Sequence, residues 1–156
     1  VEVGEHYEEV GLFGNAIDCY ELAGSKAKLL EVGERSLKEG KMTDAIRALK
    51  LLGDDNKLIQ VGDECVKREK YASAIEVFSA LENKSRLMGV GDTCLRSDQL
   101  LLAEKAFELA GDYAKLNLIG DIFLKKEQLS EAARVYKKSG NDTMLVFLRA
   151  NFNVTE

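Results

Sequence analysis

Hydrophobic and polar positions recur along this chain with a fixed step of 29 residues. Residues 54–82 show one unit. Leu58, Val61 and Cys65 fall at i, i+3 and i+7 and make one apolar stripe; Ile59, Gly62 and Val66 make a second beside it. That pattern predicts a helix over about residues 55–68, covered on both sides as an inner helix of an array is. Glu69, Lys70 and Tyr71 form a short turn. A second helix is expected over about residues 72–81, with Ala74, Ile75, Phe78 and Leu81 on one face.

The same columns run through the whole chain. Gly4, Gly33, Gly62, Gly91 and Gly120 lie one step apart, as do Leu29, Leu58, Leu87, Leu116 and Leu145. Ala16, Ala45, Ala74, Ala103 and Ala132 form a third column. Tyr20, Leu49, Phe78, Phe107 and Tyr136 form a bulky fourth. A constant period of this size is the signature of a repeat architecture. The units are 4–32, 33–61, 62–90, 91–119 and 120–148, and a further helix is predicted over about 142–151.

The punctuation of each unit is legible. Ser25, Asp54, Asn83, Asp112 and Asn141 stand one step apart where a first helix begins, and each side chain can accept from an orphan N–H of the first turn. Gly24, Gly53, Gly111 and Gly140 end the second helices, where a left-handed residue suits the cap. Glu82 breaks that column, so its turn is expected to be less regular. The chain has no proline. The mid-helix glycines cost about 0.5–1 kcal/mol each relative to Ala, and chance does not place that loss at a constant interval. Close approach is the expected reason: Gly62 against the small Ala74 of its paired helix, a spacing of 12 kept in every unit.

These residues resemble the tetratricopeptide repeat, whose pattern is W-x2-L-G-x2-Y, then A-x3-F, then P. Val3, Gly4, Tyr7, Ala16 and Tyr20 fit it in the first unit; Leu116, Ile119, Gly120, Phe123, Ala132 and Tyr136 fit it in the last. Leu replaces the Trp, the terminal Pro is absent, and the period is shorter than the family's by about five residues. The resemblance implies an all-α, right-handed superhelical α-solenoid of antiparallel helix pairs, about eleven helices in one array. Shortened units of this kind also look like the helical tails of transport and coat scaffolds.

Composition changes this picture little. The chain has 156 residues, 46% apolar and 31% charged, with net charge −5. That balance disfavours a phosphate backbone as partner, and no apolar run approaches the ~18 residues of a membrane span. Cys19, Cys65 and Cys94 are odd in number and lack a C-x-x-C, which fits reduced thiols in a cytoplasmic protein. The chain opens inside a repeat, as a piece of something longer would. His6, the sole histidine, stands in an exposed column without partners, so no triad, metal set or phosphate loop is readable and no cofactor or catalytic residue is expected.

One constellation points to binding. The acid after each glycine is followed four residues later by a base in Glu34 and Lys38, Asp63 and Lys67, Asp92 and Arg96, and Asp121 and Lys125. Such pairs support a solvated helix. In tetratricopeptide arrays the first helices line the concave groove, and by that resemblance these positions project into it. The expected partner-binding residues are therefore Asp63, Lys67, Asp92, Arg96, Asp121 and Lys125, with Ile59 and Met88 as apolar anchors. The expected role is a non-enzymatic scaffold that holds a peptide or amphipathic helix of another protein. The alternative is an architectural stretch of a longer solenoid that spans distance or stacks on its own kind.

Overall fold

The computed structural model describes residues 1–154. Among them are eleven α-helices and no strand: α1 Glu2–Glu9, α2 Phe13–Leu22, α3 Lys26–Lys38, α4 Met42–Leu52, α5 Asp55–Lys67, α6 Tyr71–Ala80, α7 Lys84–Arg96, α8 Leu100–Ala110, α9 Tyr113–Lys125, α10 Leu129–Ser139 and α11 Asp142–Phe152. The first helix of each sequence unit packs on the second helix of the same unit. The chain divides into two compact units, Val1–Leu81 and Glu82–Glu156.

Four of the five expected caps form. Asp54, Asn83, Asp112 and Asn141 accept from the N–H three residues on, at 3.0–3.2 Å; Ser25 makes no such bond. The first helices close alike. Lys41 N–H reaches back to Ser36 and Gly40 N–H to Leu37, and the pattern repeats at Lys70, Gln99 and Gln128. This is a Schellman closure, which needs a left-handed residue. Glycine supplies it at Gly11 and Gly40, but Glu69, Asp98 and Glu127 take φ of 58°, 55° and 59° without that freedom. Glu82 also holds the left-handed conformation, at φ 52°, in the column otherwise filled by Gly24, Gly53, Gly111 and Gly140. The turn is thus kept where irregularity was expected, and the division between the two compact units falls at this residue.

In Val1–Leu81 the core holds Phe13, Ile17, Tyr20, Leu49, Leu58, Ile75 and Phe78; in the second unit it holds Leu87, Phe107, Leu116, Ile119 and Tyr136. The repeating glycines face these rings. A Cβ on Gly62 would lie 2.6 Å from Phe78, on Gly91 2.5 Å from Phe107, on Gly120 2.6 Å from Tyr136 and on Gly4 2.5 Å from Tyr20. Close approach is therefore the reason for the column, but the partner is the bulky residue 16 positions on, not the alanine at 12. Gly33 is the exception that explains the rule. Its column mate is Leu49, and a Cβ there would meet Ala48 at 3.2 Å and Leu49 at 3.6 Å.

One charged cluster lies inside the second unit. Glu104 is only 3% exposed, in a column that reads Ile17, Ile46 and Ile75 in the preceding units. Arg134 of α10 grips it with both guanidinium arms, one at 2.7 Å, and Lys138 adds its ammonium at 2.9 Å. Burial pushes the Glu104 carboxyl up, but the hydrogen bonds from Arg134 and Lys138 outweigh it and hold the group below the usual carboxylate range. Arg134 also bonds Glu131 and Lys138 bonds Glu108, so both cations have a second partner.

Candidate functional site: the exposed face of the first helices

The first helices turn their glycines inward, against a ring at Gly62, Gly91 and Gly120 and against Ala48 and Leu49 at Gly33, and the residues at −3, +1 and +5 from each glycine run from the edge of that buried face out to solvent. In the Val1–Leu81 unit, α5 carries Ile59 and Asp63 half-buried and Lys67 exposed. In the second unit, α7 carries Met88 at 39% exposure, Asp92 half-buried and Arg96 exposed, while α9 exposes Asp121 and Lys125. The apolar column continues with Leu30 at 37% and Val146 at 62%. Asn117 stands in that column too, and its Oδ1 accepts from Ser139 Oγ at 2.7 Å and Asn141 Nδ2 at 3.0 Å. It is tied down rather than offered.

Three of the acids make their hydrogen bond or ion pair with a base on the next first helix. Glu34 accepts from Lys57 at 2.5 Å, Asp92 from Lys115 at 2.8 Å, and Glu5 lies 3.0 Å from Lys28. In each case the base stands 23 residues on, in the first turn of the next first helix. Such a bridge joins two helices, and its half-buried Lys arm works at lower effective dielectric than a fully solvated pair. The hydrogen bond from Lys57, with its charge, holds the Glu34 carboxyl below its ordinary value. Glu31 and Glu5 together raise the Lys28 ammonium. The base column Lys28, Lys57, Arg86, Lys115 stops at Met144, and Asp121 instead accepts the Tyr136 hydroxyl at 2.6 Å. Burial, then that bond, pushes the Tyr136 phenol up.

The bases Lys38, Lys67, Arg96 and Lys125 are exposed, and the charge of Lys38 still helps to hold the Glu34 carboxyl low. Lys67 lies 3.9 Å from Glu64, and Arg96 donates to Thr93 Oγ1 at 3.1 Å. Lys38 and Lys125 make no hydrogen bond or ion pair among the described residues. All four lie in the last turn of a first helix. There a cation is favoured by the orphan carbonyls of the helix end, which explains the column without a partner. Within each compact unit, then, the first helices carry partly exposed apolar side chains and a cation in the last turn, while Glu34, Asp92 and Asp121 are engaged inside the protein.

The residues missed from sequence are the bridging bases. A regular signal for them existed, the offset of 23 between two charged columns, which competes with the offset of four. His6 is exposed, and no three His, Cys, Asp or Glu side chains among the described residues come together as a metal-binding set. No helix is long and apolar enough to cross a membrane. Cys65 and Cys94 are buried thiols, raised in pKa by that burial. No family model matches the chain, and no curated protein matches it.

Proposed function

We propose that the chain is a tetratricopeptide-like, non-enzymatic interaction scaffold that binds a peptide or amphipathic helix of another protein through the exposed face of its first helices. The observation that carries this reading is the column Leu30, Ile59, Met88 and Val146, apolar side chains left at or near the surface on α3, α5, α7 and α11. Burial of such anchors contributes affinity where a partner excludes water. The neighbouring Lys67, Arg96 and Lys125 then set orientation and approach. Because Asp92 and Asp121 are engaged inside the protein, the partner surface that fits is apolar and acidic rather than evenly mixed. The net charge of −5 counts against nucleic acid, and the buried thiols suit a cytoplasmic setting.

The architectural alternative draws on one observation. Phe147 and Phe152 of α11 are 43% and 49% exposed, with ring centroids 6.0 Å apart. A helix in a stacked array would cover such rings.

Affinity capture from the source organism separates the two readings. The scaffold reading predicts a partner that is retained by the parent and by Lys105→Glu on the second-helix side. The same partner is lost with Ile59→Ser plus Met88→Ser, and with Lys67→Glu, Arg96→Glu and Lys125→Glu together, each variant keeping its helical circular dichroism. If those variants capture as the parent does and Lys105→Glu is the one that fails, the first-helix face is not the binding surface.

A further inference from the structure

The turns joining first to second helices recur, so equivalent clefts can be compared within the Val1–Leu81 unit. At the first, Phe13 opens α2 and is 1% exposed. The Lys41 ammonium stands 4.1 Å from its ring centroid and donates to the Gly11 carbonyl at 2.7 Å; the Arg35 guanidinium lies at 5.3 Å. One step of 29 further on, Met42 stands for Phe13, Lys70 for Lys41 and Gly40 for Gly11. Met42 is half-buried where Phe13 is fully buried. A cavity of about 470 Å³ remains, floored by Leu37, Met42 and Cys65 and rimmed by Lys57, Arg68 and Lys70. That volume is in the range of clefts that take a ligand group. Two of the rim cations are engaged, Lys57 by Glu34 and Arg68 by Glu64. Lys70 makes no side-chain hydrogen bond or ion pair among the described residues.

We infer that this cleft takes an aromatic side chain of a partner protein, held under Lys70 as Phe13 is held under Lys41. The occupant is specified by the chain's own symmetry: the equivalent cleft is closed by a ring, and the cation that covers that ring is present again without one. The ring face is negative and attracts an ammonium, and the thioether of Met42 adapts to a ring edge. The cleft is separate from the first-helix face, since α5 turns Val61 and Cys65 toward it and Ile59, Asp63 and Lys67 elsewhere. It therefore stands or falls independently of that reading.

Methyl NMR on the full chain tests it, with the peptide acetyl-Ala-Phe-Ala-amide at millimolar concentration as probe. The expected result is a saturable shift of the Met42 methyl and of the Leu37 and Val61 methyls. The same peptide with Ala for Phe should give none, and cyclohexylalanine for Phe should bind several-fold more weakly. Lys70→Gln should reduce the Phe peptide to the level of the cyclohexylalanine one. Met42→Phe should fill the cleft from within, raise the melting temperature and abolish binding. No saturable shift in the folded parent overturns the proposal, as does unchanged binding to Met42→Phe. If Met42→Phe does not fold, Lys70→Gln decides: equal affinities for the two peptides in both parent and Lys70→Gln would overturn the pairing of cation and ring.

Discussion

A glycine and a ring occupy complementary space in this fold. Gly62 is without a Cβ because the edge of Phe78 stands where that atom would be, and the same holds for Gly91 with Phe107 and Gly120 with Tyr136. Gly62→Ala gains helix propensity of up to ~1 kcal/mol but must displace a buried ring, an overpacking worth about 1–3 kcal/mol. The second effect should win, and urea denaturation should show Gly62→Ala less stable than the parent. Adding Phe78→Leu puts opposite the new methyl the residue type that stands at Leu49, where an added Cβ would lie 3.6 Å from the leucine side chain, so the double variant should recover part of the loss. Gly33→Ala should be the mildest of the series. Equal losses at Gly33 and Gly62, or no recovery in the double variant, would contradict the ring contact. The sequence shows that the glycines are constrained but not by what. Ala74 and Phe78 lie one turn apart on the same helix face, both are fully buried, and only the reach of the ring decides between them.

Between helices, the contacts that matter are bridges from one unit to the next. The i, i+4 charge pattern is real as a spacing, and Asp92 nonetheless turns to Lys115 and Glu34 to Lys57. Two columns competed for the same acids, and the one reaching a neighbouring helix won. The Glu104 cluster was legible only as a break in an isoleucine column, which names no partner. It carries a testable consequence. Replacing Glu104 by Ile restores the residue of the preceding units and orphans no cation, because Arg134 keeps Glu131 and Lys138 keeps Glu108. A buried ion pair exchanged for an apolar side chain is often neutral or stabilising, by about 1–4 kcal/mol. Glu104→Ile should therefore be at least as stable as the parent at pH 7, whereas Arg134→Ala should destabilise. The pH dependence has a fixed sign. A carboxyl held low in the folded state contributes stability above its unfolded value of about 4.3 and loses it as pH falls through the folded value. The parent should lose stability in that acid window by more than Glu104→Ile does, read as melting temperature against pH. Parallel curves would remove Glu104 from the account.

At the scale of the molecule, helices arranged unit by unit touch mainly their sequence neighbours, so stability should be nearly local. The helices at the two ends, α1 and α11, have fewest neighbours. α1 buries only Gly4 and α11 only Leu148. Hydrogen exchange should find their amides least protected, and protection in α1 and α11 equal to that in α3 and α8 would contradict local stability. Helix number and class were readable because the 29-residue step writes the same apolar stripes five times. The binding role was not readable in the same way, since an exposed Met88 or Lys125 carries no record of what meets it. What links the two is the rotation of the first helices: with the glycines turned inward against the rings, Ile59 and Met88, one turn before Gly62 and Gly91, fall at the edge of the buried face, where they stay partly open to solvent. Glycine α-protons and ring protons measure that orientation directly by nuclear Overhauser contacts and ring-current shifts. Gly62, Gly91 and Gly120 should show contacts to the rings of Phe78, Phe107 and Tyr136 and displaced α-proton shifts, while Gly33 shows contacts to the Leu49 methyls and no ring-current displacement. Glycines that lack those ring contacts, or a Gly33 indistinguishable from the other three, would show that the first helices are turned differently and that the proposed binding face is misplaced.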